Sequence, residues 1–285
     1  MSATVDSHVH LWDDRHTPQP WMTREHAVIA RPFGPGDLKP LLDAHGVDGV
    51  IVVQGACLDS DTDYLFAVAD RHDWIAAVTA WLPLADPGRA RERLAELAGR
   101  PKFRAVRHLI HNEPDHWLVR ADVTEGLALL EARDVILECP VVFPRHFDDV
   151  ARVAARFPAL RIVIDHLGKP PVGTTAMPAW EEMLRAVAGQ PNVMAKVSGL
   201  NTTVTYPHWS AADWSRPVEV ALDCFGPDRL MCGSDWPVAL MNGDYARVWD
   251  ATRTAVLTAA GGHAGDLLGS NACRIYQLEV PVRAA

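Results

Sequence analysis

Eight short apolar runs of strand length, each followed by a stretch of helical periodicity, recur along this 285-residue sequence. They are Val5–Trp12, Val47–Gly55, Trp74–Leu82, Phe103–Ile110, Val135–Val142, Leu160–His166, Asn192–Leu200 and Arg229–Asp235. Most are continuously apolar rather than alternating, which is the pattern of strands covered on both faces in a parallel sheet. The intervening helices are expected near 37–45, with Asp37 as cap, then 61–72, 87–99, 122–133, 145–157, 178–189 and 211–225. Two more, near 244–260 and 266–278, follow the eighth strand. Eight β-α units without a linker, in a chain near the ~250 residues usual for the class, predict a single α/β domain over residues 1–285: a (β/α)8 TIM-like barrel with additional C-terminal helices. A doubly wound open sheet is the competing arrangement, but no G-x-G-x-x-G follows the first run. Residues 11–36, with Pro18, Pro20, Pro32 and Pro35, read as a long loop of the kind that can serve as a lid.

Bulk properties narrow the partners. The net charge is -9 and the basic residues are dispersed, which excludes the concentrated basic face that nucleic acid or an anionic membrane surface would require. No apolar run reaches about 18 residues, and Met1-Ser2-Ala3-Thr4 lacks a basic segment followed by an apolar one, so an unexported protein without a membrane span is expected. Cys57, Cys139, Cys224, Cys232 and Cys273 are odd in number and mostly set in apolar runs, which suits reduced thiols and the cytoplasm. A small molecule is the expected partner; assembly into a homo-oligomer stays open.

In a (β/α)8 barrel the chemistry sits at the C-terminal ends of the strands. Polar residues ending the apolar runs are His8 and His10, Gln54, Arg107 and His108, Glu138, His166, Lys196 and Ser198, and Asp235. His8 and His10, two residues apart on a strand, face the same side and can share a metal ion or one developing charge. His108 and Glu138 have an alternative reading as residues turned outward toward the helices, Lys196 as a snorkelling side chain and Gln54 as a polar filler. Asp165, beside His166, is expected to face the opposite way and to partner a helix. Asp235, in Gly233-Ser234-Asp235-Trp236-Pro237, needs cationic or hydrogen-bonding company to be buried, and His8, His10 and His166 are the candidates.

Five motifs in order over essentially the whole chain carry a resemblance: V-D-S-H-V-H-L-W at the start, D-H-L-G-K-P at 165–170, K-V-S-G-L at 196–200, G-S-D-W-P-V at 233–238 and N-A-C-R-I-Y-Q-L at 271–278. Together they resemble the amidohydrolase superfamily, in its amidohydrolase-2 branch, which contains sugar-lactone hydrolases such as fuconolactonase and rhamnonolactonase and the 2-pyrone-4,6-dicarboxylate lactonase. The resemblance implies hydrolysis of an ester or lactone with Asp235 as the base acting on water. His8, His10 and His166 match positions that bind a divalent metal or contact the substrate carbonyl. The fifth strand offers only Glu138 as a bridging ligand, which speaks against a binuclear centre.

On this reading ionised Asp235 takes a proton from water and later returns it to the ring oxygen, while the imidazoles, or one Zn²⁺ held by His8, His10, His166 and Asp235, polarise the carbonyl. Substrate contacts are expected from Arg107, Lys196, Gln54, Trp12 and Trp236. Arg107 and Lys196, if inward, would each repel a cation by roughly 1 to 4 kcal/mol at ~4 Å. No required cofactor, or one weakly bound divalent ion, is therefore expected, with activity that survives chelation. A metal-dependent decarboxylase of the same branch is the runner-up, and a catalytically dead barrel that binds a ligand or partner the third reading. Among lactones, a dicarboxylate would call for several arginines, of which Arg107 ends a strand and Arg145 and Arg216 are loop candidates. Trp12, Trp209, Trp214 and Trp236 suit a sugar face better, so an aldonolactone is preferred over an anionic lactone of aromatic catabolism.

Overall fold

Parallel strands β1 Val5–Val9, β2 Gly49–Val53, β3 Ile75–Ala80, β4 Phe103–Arg107, β5 Ile136–Cys139, β6 Ile162–Ile164, β7 Val193–Val197 and β8 Leu230–Cys232 pair in chain order. A computed structural model describes residues 2–204 and 206–282, so residues 1, 205 and 283–285 of the expected 1–285 domain lie outside the described residues. The ring closes at its C-terminal rim, where Val9 bridges Trp236, His10 N donates to Trp236 O (2.6 Å) and Asp235 N donates to His8 O (2.8 Å). The closing seam therefore runs through four of the expected site residues, His8, His10, Asp235 and Trp236.

Helices α1 Pro35–Ala44, α2 Asp59–Ala69, α3 Pro87–Leu97, α4 Ala121–Glu131, α5 Phe147–Arg156, α6 Met177–Ala188 and α7 Ala211–Phe225 cover the outside, followed by α8 Tyr245–Ala260 and α9 Asn271–Tyr276. The α/β barrel with extra C-terminal helices is thus the observed fold. Asp37 is not the cap of α1 but its third residue: Gly34 caps, Pro35 opens the helix with a pre-set φ, and Asp37 accepts the Gly34 N–H (2.9 Å). The last expected helix is divided into a π turn, Asp266–Ser270, and the short α9. No helix among the described residues is long and apolar enough to cross a membrane, and all five cysteines are free thiols.

Every strand sends at least one residue into a separate apolar cluster inside the barrel, among them Val5, Ile51, Ala77, Ala105, Ile136, Val163, Met194 and Met231, closed beneath by Ile275 and Tyr276 of α9. Strand alternation then sends the residue two further along to the same interior: Thr79, Arg107, Glu138, Asp165 and Lys196. The barrel is apolar below and charged above. Glu138, fully buried, accepts from Thr79 Oγ1 (2.5 Å), Lys196 Nζ (2.6 Å) and Tyr276 OH (2.7 Å), joining β3, β5, β7 and α9 across the interior. Glu138→Leu leaves the Lys196 ammonium buried without its partner and is expected to destabilise the fold by about 3–5 kcal/mol in denaturant unfolding. A loss below about 1 kcal/mol would show that the pair carries no such weight.

Candidate active site

His8 is completely buried at the rim of β1, its Nε2 facing Nε2 of His10 at 3.1 Å. Nδ1 of His10 lies 2.8 Å from the Val53 carbonyl, which can only accept, so His10 donates there and its Nε2 keeps a lone pair. Nδ1 of His8 lies 3.4 Å from both Lys196 Nζ and Asp165 Oδ1. If Lys196 donates, Nε2–H of His8 donates to His10; if His8 Nδ1–H turns to Asp165, Nε2 is free as a second lone pair. Either arrangement fixes both rings.

Asp235 lies just beyond β8 with its Oδ1 3.3 Å from His10 Nε2 and 3.6 Å from His8 Nε2, and its Oδ2 3.9 Å from His166 Nε2. It sits in the left-handed region (φ +60°). Gly199 gives it clearance: a Cβ there would lie 2.5 Å from Asp235 Oδ2. His166 follows β6 through a left-handed turn (His166 φ +55°, Leu167 φ +51°, Lys169 φ +57°) pinned by Trp180 Nε1–H to Leu167 O (2.9 Å). Ser198 Oγ, 2.9 Å from His166 Nδ1, orients the ring. Such conformations cost about 1 kcal/mol or more each and persist only where the surroundings enforce them, commonly at active sites.

Burial alone would raise the Asp235 carboxyl, but His166, His10 and His8 outweigh it and hold the group below the ordinary carboxylate value, so it is ionised at neutral pH. Burial lowers His8 and His166, which favours neutral imidazoles. Asp165 corrects the sequence expectation. It points into the barrel, not toward a helix, because its strand ends at Ile164 and the left-handed turn lets both Asp165 and His166 reach the interior. Its Oδ2 accepts from Arg107 Nε (2.7 Å) and its Oδ1 is 3.8 Å from Lys196 Nζ. Burial would raise it, yet His8, Arg107 and Lys196 hold it well below the carboxylate range.

A cavity of about 180 Å³ opens above these groups, with His10, His166, Asp235, Arg107 and Trp12 in its wall. His8 supports from behind. Lys196 lies beneath the floor on Glu138, and Gln54 is a brace: its Nε2 donates to Arg107 O and its backbone carbonyl accepts from Arg107 Nη1, both at 3.2 Å. Trp236 is buried edge-on to Phe33. His108 turns away, accepting from Trp81 Nε1 (3.1 Å), reaching Glu113 (2.9 Å) and stacking on Trp117. Arg145 is committed to Asp115 and to the His111 and Glu113 carbonyls, and Arg216 to Glu181; Trp209 stacks on buried Trp214. Trp21, His26, His111, Lys169 and Thr202 also line the cavity, and strand-end reasoning missed them because they sit beyond the strand ends, on loops or single 3-10 turns. Lys169 stood inside a quoted motif, and Trp21 and His26 belong to the loop read as a lid. Burial, with Arg107 and Lys169 adding to it, pushes His111 down to about 3.

The donor set fits one divalent ion. Ligand atoms of His8, His10 and Asp235 lie within 4.8 Å of one another, and the facing Nε2 atoms are spaced as two ligands of one ion at ~2.0–2.1 Å would be. The Val53 carbonyl and the Asp165 carboxylate behind the rings are the outer contacts that metal-binding imidazoles require. A second triad, His8, Asp165 and His166, shares His8 with the first, and Glu138 belongs to neither. The positive charges expected to repel a cation are compensated, Lys196 by Glu138 and Arg107 by Asp165, so that argument against a metal falls.

The amidohydrolase family model matches residues 5–278. This chain belongs to that family. The amidohydrolase is similar to the L-fucono-1,5-lactonase of Burkholderia ambifaria, 35% identical over 286 residues that cover 99% of this chain and 98% of the relative. It is also similar to the L-fucono-1,5-lactonase of Burkholderia multivorans, 36% identical with 98% of each chain covered. An amidohydrolase of Burkholderia multivorans solved with bound zinc superposes with a TM-score of 0.89 at 35% identity, covering 98% of this chain and all of that one.

Gly199→Ala in this amidohydrolase is expected to lower kcat/KM at least tenfold, because the new methyl must push the Asp235 carboxylate aside, and to lower stability by about 1–2 kcal/mol through its left-handed backbone. Steady-state kinetics beside a thermal melt checks this; a variant within twofold of wild type would show that Gly199 does not set the Asp235 position.

Proposed function

We propose that this enzyme hydrolyses a six-membered aldonolactone, with Asp235 as the base. The observation that carries the reading is an ionised, buried carboxylate held 3.3–3.9 Å from three imidazoles at the floor of a small cavity. The L-fucono-1,5-lactonases at 35–36% identity over nearly the full length support this substrate class.

Asp235 accepts a proton from a water directed at the lactone carbonyl carbon; as the carbon–oxygen bond forms, the carbonyl π pair moves to the carbonyl oxygen. His10 and His166, each fixed through Nδ1, orient the carboxylate and the carbonyl. When the tetrahedral adduct collapses, the ring carbon–oxygen bond breaks and Asp235 returns its proton to the leaving oxygen. The product is the open-chain hydroxy acid. His8, His10 and Asp235, with His166 adjacent, are the residues that would hold a divalent ion. When bound, the ion supplies Lewis-acid polarisation of the carbonyl.

The cavity wall favours a neutral hydroxylated ring over a dicarboxylate. Its arginine, Arg107, is already engaged by Asp165, whereas Trp12, Trp21, His26, His111 and Thr202 offer aromatic faces and uncharged polar groups. Nδ1 of His26 accepts the Thr23 N–H (3.1 Å), which leaves Nε2–H as a donor.

A panel of sugar and muconate-type lactones, assayed by acid release, is expected to show turnover of a hydroxylated 1,5-lactone. No lactone turnover together with decarboxylation of an unsaturated acid would overturn the reading. Asp235→Asn, which keeps the volume but cannot take the water's proton, is expected to lose 10²- to 10⁴-fold in kcat while its circular dichroism stays that of the wild type. Retention of more than about a tenth of the activity would remove Asp235 from the role of base.

Arg107–Asp165 and Lys196–Glu138 are balanced pairs, so the charges beneath the cavity compensate one another before any ion is added. One ion held weakly, with turnover largely surviving exhaustive dialysis against a chelator, is the expected result. Activity that disappears with the measured metal content and returns on adding Zn²⁺ or Mn²⁺ would show otherwise.

A further inference from the structure

Arg107 and Lys169 bring basic side chains to the cavity wall. Arg107 is spoken for by Asp165 at 2.7 Å. Lys169 has no carboxylate at ion-pair distance and no hydrogen-bond partner for its ammonium among the described residues, although it shares the cavity with Asp235 and His166. It stands at a junction: it lines both the 180 Å³ cavity and an adjoining one of about 470 Å³, together with His26, Thr202 and Val238. The turn that presents His166 also presents Lys169, since Lys169 N donates to His166 O (2.9 Å) and both residues are left-handed.

A partly buried ammonium that faces a cavity without a side-chain partner is placed to meet an oxygen that a ligand brings. Such an oxygen arises in the reaction proposed above. Lys196 is shielded beneath the floor by its pairing with Glu138, so it offers no free positive charge to the cavity.

We propose that Lys169 is a catalytic residue of the lactone hydrolysis, its ammonium donating a hydrogen bond to the carbonyl oxygen as that oxygen becomes negative. The inference rests on the lactonase reading. No proton leaves Lys169: the π pair moves onto the carbonyl oxygen when water adds, the ammonium stabilises it there, and the pair re-forms the C=O as the ring oxygen departs with the proton carried by Asp235.

Lys169→Met keeps the length and removes the charge. Its kcat is expected to fall about 100- to 1,000-fold with KM within about threefold, at an unchanged melting temperature, whereas Lys169→Arg recovers part of the loss. A rise in KM with kcat intact would overturn the proposal, since it assigns Lys169 to ground-state binding; so would unchanged kinetics, or a loss accompanied by unfolding that Lys169→Arg does not repair. Inorganic phosphate, a tetrahedral oxyanion, gives a readout independent of turnover. By calorimetry the wild type is expected to bind it at least tenfold more tightly than Lys169→Met, and equal binding, or none by the wild type, overturns the proposal. Should the wild type turn over no lactone, the lactonase reading fails by itself, and the phosphate comparison still decides whether Lys169 meets an oxyanion.

Discussion

A buried carboxylate inside the barrel, Asp165, is the interaction on which the site depends. Its two oxygens face Arg107 from β4 at 2.7 Å, His8 from β1 at 3.4 Å and Lys196 from β7 at 3.8 Å. Three elements far apart in sequence thus converge on one anion, and each brings a group that could not be buried alone. Glu138 takes the remaining demand of Lys196 from below. The two carboxylates turn a ring of positive groups into a balanced platform, above which Asp235 stays ionised.

Backbone strain places the reacting groups on that platform. A strand delivers side chains alternately in and out, so a regular β6 could not present both Asp165 and His166 to the interior. The left-handed turn at His166 and Leu167 removes the restriction, and the same turn brings Lys169 to the cavity. Two strands further round the ring Asp235 is also left-handed, with Gly199 making room for its carboxylate. The seam between β1 and β8 closes through the backbone of these same residues, His10 to Trp236 and Asp235 to His8. Closing the barrel and positioning the Asp235 carboxylate are therefore one event.

This explains how much could be read in advance. The barrel was legible because eight apolar runs with helices between them admit few other folds, and His8, His10, His166, Arg107 and Asp235 were legible because each interrupts an apolar run where a barrel keeps its chemistry. Asp165 was misread through the same alternation rule: counting inward from His166 puts it outside, whereas counting from Val163, which packs in the barrel interior, puts it inside. The neutralisation of Lys196 by Glu138 and of Arg107 by Asp165 depends on which strands face each other across the ring, a three-dimensional fact with no local signature. Trp21, His26, His111 and Lys169 sit on loops or single 3-10 turns, where neither period 2 nor period 3.6 says which way a side chain points.

The pairing of these charges also bears on the kind of substrate the cavity suits. An unpaired arginine in the wall would reward a carboxylate, but Arg107 can turn to a ligand only by leaving Asp165 without its closest partner, at a cost that a surface arginine would not meet. A second carboxylate on the ligand would find no further free cation beyond Lys169 among the described residues of the cavity wall, and would lie close to ionised Asp235. A ring carrying hydroxyls has neither difficulty, because hydroxyls donate and accept and so can meet the imidazoles of His26 and His111 in either role. Discrimination of this kind comes from the charges the fold has already paired, not from a dedicated recognition residue.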